Sequence, residues 1–212
     1  MGTVIMHNVV SLDGFIADEN DDVGPLHEWY FSGDTPIVEG DGQEGDGQEG
    51  DQSFDHSGAG QSFMVSPASA VYVRSMWESV GVIVMGRHLF DLVNGWEGQP
   101  PTGEHVVVVS HRPKPAGWHP EASYHFVDDV RAAIDKAQEL AGDRAIAVNA
   151  GEVGGQVLEA GLVDEVAMDV VPVVFGSGKR YFGRIDRQHL LDGPHVLIQG
   201  DRVLHLKFTV RR

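Results

Sequence analysis

Three short segments of the 212-residue chain combine residue types that can grip an anion. Gly86-Arg87-His88 sets a guanidinium and an imidazole behind a permissive glycine, directly after the apolar run VGVIVM. Ser110-His111-Arg112 offers a hydroxyl and two potential cations after VVVV. The third segment, Asn149-Ala150-Gly151-Glu152-Val153-Gly154-Gly155-Gln156, is glycine-rich and follows AIAV. Backbone N–H groups where a glycine turn enters a helix, and the fork of an arginine, both suit phosphate oxygens. Taken singly, each segment reads more simply as a turn, and G-x-x-G-G fails the dinucleotide fingerprint G-x-G-x-x-G. Their shared place makes them informative, because open α/β sheets bind ligands outside the carboxyl ends of their strands. Together they would form a cationic groove for a phosphate-bearing ligand.

The surrounding pattern supplies the strands and helices that such a groove needs. Val4–Val10, Val80–Met85, Val106–Val109, Tyr124–Val127, Ala145–Val148 and Glu165–Val174 read as strands, most of them apolar on both faces. Ser66-Pro67 opens a helix to about Ser79, with Ser as N-cap and Pro at the first helical position, and Val71, Tyr72, Met76 and Trp77 are expected on buried faces. Asp128 or Asp129 caps a second helix with the stripe Val130, Ala133, Ile134, Ala137 and Leu140, stopped by Gly142. Glu152–Ala160 is a short third helix, and two alternating runs around Gly200-Asp201 form a terminal hairpin. Helices between most successive strands predict a mostly parallel sheet with helices on both faces, edged by the antiparallel hairpin.

Charge and composition narrow the classes further. Of 32 acidic side chains, 14 lie in residues 1–73, which contain no Lys or Arg; residues 74–212 hold the other 18 and all 15 basic ones. Without a basic patch, nucleic acid and anionic membrane are not expected partners. There is no cysteine, no apolar run near membrane-spanning length and no signal-peptide pattern, so a cytoplasmic protein is expected. Residues 39–51 repeat EGDGQ with no apolar residue, and a single domain over 1–212 is expected to carry an acidic, Gly-rich loop insert at about 34–62. The wider stretch 18–62 reads as one long loop, with Trp29, Tyr30 and Phe31 as its apolar cluster. Gly176-Ser177-Gly178-Lys179 lacks the remainder of a phosphate loop and reads as a turn, and no histidine cluster has metal-ligand spacing.

In order, SLDGFIA, MGRHLFD, VVVVSHRP and NAGEVGGQVLEAGLVDEVAMDVVPVVFGSGKRYF resemble the dihydrofolate-reductase-like superfamily. The branch that they resemble most is related to the reductase domain of bacterial riboflavin biosynthesis, over about residues 3–212. The resemblance implies a three-layer α/β fold and an NADPH-dependent reductase, in a branch whose members are often homodimers. It implies that Val9, Ile16 and Ala17 lie along the nicotinamide, and that Gly86, Arg87 and His88 sit at the cofactor phosphates. Leu89 stands there where the family usually has Thr. Ser110, His111 and Arg112 would surround the adenosine ribose and its 2′-phosphate. Gly151, Glu152, Val153 and Gly154 would offer N–H groups to the pyrophosphate, with Gln156 matching a Gln in the helix that follows.

Two departures bear on the substrate. Asn149-Ala150 replaces adjacent glycines, and the carboxylate with which dihydrofolate reductases hold the pterin falls near Ala70, where no acid stands between 66 and 77. Dihydrofolate is therefore not the expected substrate; a small heterocyclic or carbonyl-type compound is. Asp13, Tyr72, Arg74 and Trp77 are the candidates on the substrate side, with turn bracing, core packing or solvation as their plainer roles. The alternative is a non-catalytic NADP(H)-binding or sensor protein on the same fold.

Overall fold

The computed structural model describes residues 1–37 and 63–212. In chain order it contains β1 (Val4–Ser11), β2 (Phe15–Ala17), a 3₁₀ segment (Gly24–Phe31), β3 (Thr35–Pro36), β4 (Met64–Val65), α1 (Pro67–Ser79), β5 (Val80–Gly86) and α2 (Arg87–Leu92). A second 3₁₀ segment (Asn94–Gly98) precedes β6 (His105–Val109), β7 (Tyr124–Val127), α3 (Val130–Ala141), β8 (Ala145–Asn149) and α4 (Glu152–Glu159). The chain ends with β9 (Glu165–Val171), β10 (Lys179–Arg180), β11 (Leu191–Gln199) and β12 (Leu204–Val210).

Eight strands form one sheet in the order β11-β12-β9-β1-β8-β5-β6-β7. The six strands from β9 to β7 are parallel, and β12 and β11 add the antiparallel edge expected of the hairpin. Because side chains alternate along a strand, β1 serves both faces. Met6 and Val10 pack with α3 and α4 through Ala133, Ile134, Ala137, Val157 and Leu158, while Val9 packs on the other face with Ala70 and Val73 of α1 and with Leu26 and Trp29. A third cluster, centred on Phe90, Met85 and Val108, continues that second face under α2. Helices on both faces of a mostly parallel sheet are the three-layer fold that the sequence predicts.

Several local expectations need correction. Val71 is 69% exposed and Val73 is buried in its stead, because the stripe of α1 follows Ala70, Val73 and Met76 at a spacing of three. Strand β9 stops at Val171 rather than Val174, since Pro172 cannot donate to the ladder and Val173 N–H turns back to the Val171 carbonyl. Residues 18–37 are not one loop. Pro25 starts the first 3₁₀ segment, whose Leu26 and Trp29 are fully buried, and β3 pairs with β4 where the acidic insert was expected to begin. The EGDGQ repeat and the rest of the insert from residue 38 to 62 lie outside the described residues. Helix α2, not anticipated from the sequence, starts at Arg87 itself. Among the described residues no helix is long and apolar enough to cross a membrane.

The second helix follows its sequence signals closely. Asp129 caps α3 by accepting from the N–H groups of Arg131 (2.7 Å) and Ala132 (3.0 Å), and Gly142, at φ +61°, ends it. Asp129→Ala should lower unfolding free energy by about 1 kcal/mol, read as a shift of the urea midpoint without change of slope.

Candidate functional site

The three strand-end segments meet at one end of the sheet, and glycines set how closely. A Cβ on Gly86, at the end of β5, would lie 3.0 Å from Val153 Cγ2 in the first turn of α4. A Cβ on Gly154 would lie 2.8 Å from the carbonyl oxygen of Asn149, and one on Gly155 would collide with the carbonyl of Phe182. Only bare backbone lets α4 sit this deeply between β8, β5 and the 180s segment. Gly151, at φ +95°, turns the chain from β8 into α4, and the Ile16 side chain lies against it, 3.3 Å from where a Cβ would be. The SLDGFIA, GRH and GEVGG segments therefore share one edge of the sheet.

One expected donor is already used: Gly151 N–H donates to the Tyr181 carbonyl at 2.6 Å, so it is not available to a pyrophosphate. The N–H groups of Glu152, Val153 and Gly154 are those of the first helical turn, which have no intrahelical acceptor. They fit an anion. The exposed carboxylate of Glu152 turns toward Arg184, 3.6 Å away, and Gln156 is exposed on the same helix.

On the neighbouring strand ends, Asp91 holds two cations together. It accepts from Arg87 Nε and Arg112 Nη2, both at 2.6 Å, while Arg87 also donates to the Pro113 carbonyl at 3.1 Å. Slight burial pushes the Asp91 carboxyl up, but the two guanidinium groups outweigh that and hold it below its ordinary value. Ser110 Oγ donates to the Arg112 carbonyl (2.7 Å) and accepts from the Arg112 N–H (3.0 Å), which fixes the turn that carries exposed His111 and Arg112. Each guanidinium keeps donors beyond those spent on Asp91. His88 points across the groove to Asp21, 2.9 Å away, with Lys179 at 3.5 Å from the same oxygen; it pins the 18–22 turn. Leu89, in the position usual for Thr, packs against the Phe90 cluster.

Of the substrate-side candidates, two have structural work. Asp13 braces its turn: it accepts from Ser11 Oγ (2.6 Å), Phe175 N–H (3.2 Å) and Gly176 N–H (2.7 Å), and the Ser11 bond foremost holds its carboxyl below the ordinary value. Arg74 donates to the carbonyls of Ile37 (3.0 Å) and Pro36 (2.9 Å), tying α1 to the start of the insert. Trp77 packs edge-on to Phe63. Tyr72 lies with its ring 4.7 Å from His205, and its hydroxyl is buried without a hydrogen-bond partner among the described residues. Val9 and Ala17 are buried at the floor of the same edge, and Ile16 is half-buried.

A buried polar row on this face was not anticipated. Asp169 on β9 accepts from His7 Nε2 on β1 (2.9 Å) and from His205 Nδ1 on β12 (2.6 Å), and His205 Nε2 meets Ser69 Oγ on α1 (2.9 Å). Burial would raise the Asp169 carboxyl, but the charge of His7 and the hydrogen bonds from His205 and His7 outweigh it and hold the group well below its ordinary value. The signal was present in the sequence as single polar residues inside apolar strands: the His of VIMHNVV, the Asp of AMDVV and the His of VLHLK.

Comparison with known proteins agrees with this architecture. The family model described as the RibD C-terminal domain matches residues 2–205. No curated protein matches. Among solved structures, a Shewanella sp. PV-4 protein described as belonging to riboflavin biosynthesis is 20% identical, with 99% of each chain covered and a TM-score of 0.63. The Thermotoga maritima diaminohydroxyphosphoribosylaminopyrimidine deaminase/5-amino-6-(5-phosphoribosylamino)uracil reductase is 13% identical (TM-score 0.58), and Acinetobacter baumannii RibD is 12% identical (TM-score 0.55). The chain is covered to 99% and 100% in these two comparisons and spans 57% and 59% of those longer proteins. At these identities the likeness is one of fold.

The Asp169 pairing fixes the sign of an acid effect. A carboxylate whose folded pKa lies below its unfolded value, near 3.8, stabilises the fold above that pH; the contribution is lost as pH falls from there through the folded value. Asp169→Asn should lower stability at neutral pH and flatten the loss on acidification below about pH 4, read from urea midpoints at a series of pH values.

Proposed function

Because the chain belongs to the family of RibD C-terminal domains, we propose that it is a reductase that moves a hydride from NADPH to a small heterocyclic or carbonyl-type substrate. The observation that carries this reading is the convergence of the first turn of α4, the Arg87–Asp91–Arg112 cluster and the Ile16 side chain at one edge of the sheet. The residues present fit a phosphorylated dinucleotide. Glu152, Val153 and Gly154 would hold the pyrophosphate through their N–H groups. Arg87, Arg112, Ser110 and His111 would meet the adenosine ribose and its 2′-phosphate. Val9, Ile16 and Ala17 would form the wall along the nicotinamide.

Bound there, NADPH supplies the hydride; the protein's own task is alignment, water exclusion and the supply of a proton. Asp91 pre-orders Arg87 and Arg112, so a 2′-phosphate would meet two guanidinium groups that need not be gathered at binding. The substrate would lie next to the nicotinamide wall. Its class rests on the missing carboxylate in α1: residues 66–77 hold no acid to pair with a pterin. An identified reductase neighbour acts on a phosphoribosylaminouracil, which makes that compound the first to try.

The test is a fluorescence titration with NADPH and NADH, followed by turnover on a panel of 5-amino-6-(5-phosphoribosylamino)uracil, pterins and quinones. NADPH should bind more tightly than NADH, and Arg112→Ala should remove about a 10- to 100-fold share of that preference, the worth of a charge-assisted hydrogen bond. Absence of NADPH binding at high micromolar concentration rejects the reading. Binding with no turnover across the panel would instead favour a non-catalytic NADP(H)-binding protein.

A further inference from the structure

We propose that His7 is the proton donor to the substrate, with Asp169, His205 and Ser69 as the positioning residues that hold it in that role; the proposal rests on the reductase reading above. His7 lies on β1 two residues before Val9, so the two side chains share the face that looks toward α1. Its register partner across the sheet is Asn149 of the glycine-rich segment, whose Oδ1 is buried without a hydrogen-bond partner among the described residues. Two polar side chains thus stand side by side next to the expected nicotinamide wall. The remaining members of the row are closed off: Ser69 and His205 are 0% exposed and Asp169 is 1%. The His7 side chain is 19% exposed and forms the open end.

The hydrogen-bond inventory fixes the tautomer. An ionised carboxylate only accepts, so His7 Nε2 and His205 Nδ1 must both carry hydrogen where they meet Asp169. His205 Nε2 meets Ser69 Oγ, which fixes the ring behind Asp169. For His7 the remaining nitrogen is Nδ1, which has no partner among the described residues. An imidazole anchored through Nε2 to a buried anion, with Nδ1 unspent and the side chain at the open end of the row, is built to take a proton from solvent and give it to a neighbour. When hydride adds to the carbon of a C=N or C=O group, the π pair moves onto the nitrogen or oxygen. The Nδ1–H of the His7 imidazolium then breaks, its proton joins that heteroatom, and the N–H bonding pair remains on neutral His7. The products are an amine or alcohol and oxidised nicotinamide, and solvent reprotonates Nδ1.

Other groups around the row bear on its charge. From α1 the Tyr72 ring and Ser66 face His205 and Ser69; from the first 3₁₀ segment come Trp29, 5.3 Å from His205, and Tyr30. Burial, with the Asp169 charge, pushes both the Tyr30 and Tyr72 phenols well up, so both stay neutral. From the opposite face the Tyr181 hydroxyl donates to the carbonyls of Met6 and Ala167. Glu165 and Lys207, 3.3 Å apart on β9 and β12, neutralise each other. Among the described residues, Asp169 is the one anion in direct contact with His7.

The experiment is imidazole ¹⁵N NMR of the whole protein, with His7 signals assigned by His7→Gln, in the free state and with NADPH or NADP⁺. Free protein should show His7 protonated on Nε2 at high pH, and Asp169→Asn should weaken that preference. The positive ring of NADP⁺ beside His7 should displace its ¹⁵N signals relative to the NADPH complex, and those of His205 less. His7→Gln should bind NADPH as the parent does, yet slow single-turnover NADPH oxidation by whichever panel compound is reduced, about 10²- to 10⁴-fold. It should also abolish the fall in rate as His7 deprotonates. Identical His7 signals in both complexes, or an unaltered pH profile in His7→Gln, overturn the proposal while leaving the reductase reading intact. Failure of NADPH to bind overturns both.

Discussion

A carboxylate placed inside a β-sheet must be answered from its own surroundings, because losing water costs an ion several kcal/mol. Asp169 is answered from two directions by imidazoles, one on each neighbouring strand, and the second of these is fixed in turn by a serine on α1. This single requirement ties β1, β9, β12 and α1 together at one level of the fold. It also explains why α1 presents Ser69 and Ala70 to the sheet rather than larger residues: bulk there would part the helix from His205. The polar row and the apolar cluster of Val9, Leu26, Trp29 and Val73 are two parts of one layer.

The second constraint is steric. Backbone must pass close to backbone where α4 enters between strand ends, and Gly86, Gly154 and Gly155 are the residues that permit it. The same closeness brings the first turn of α4 against the end of β5, so the same glycines serve the packing and the proposed cofactor site. Gly151 shows the limit of inferring one from the other: its position is as expected, but its N–H is spent on the Tyr181 carbonyl.

Charge has a similar double aspect. The acidic excess of the first 73 residues said nothing of the groove, which draws on Arg87 and Arg112 farther along the chain. Yet even this groove contains its own anion. Asp91 sits between the two guanidinium groups, so the local field is that of a pre-assembled cluster rather than of two free cations. His88, which the resemblance set at the phosphates, meets Asp21 instead and joins the 18–22 turn to α2.

What the sequence determined by itself was local and periodic. Apolar runs of strand length, the Asp129 cap with its stripe, and the glycine turns after strands each follow from interactions within a few residues, and each stands in the structure. The three strand-end segments were legible for the same reason, since a strand, a glycine and a cation are contiguous. Phase and contact were not legible to the same degree. Which valine of α1 turns inward depends on the sheet that it packs against, and β9 ends where proline breaks a ladder whose partner lies elsewhere. The row of His7, Asp169, His205 and Ser69 was decided by tertiary structure alone: its hydrogen-bonded partners stand 36 to 162 positions apart along the chain, and only the order of strands in the sheet, with α1 packed on it, makes them neighbours.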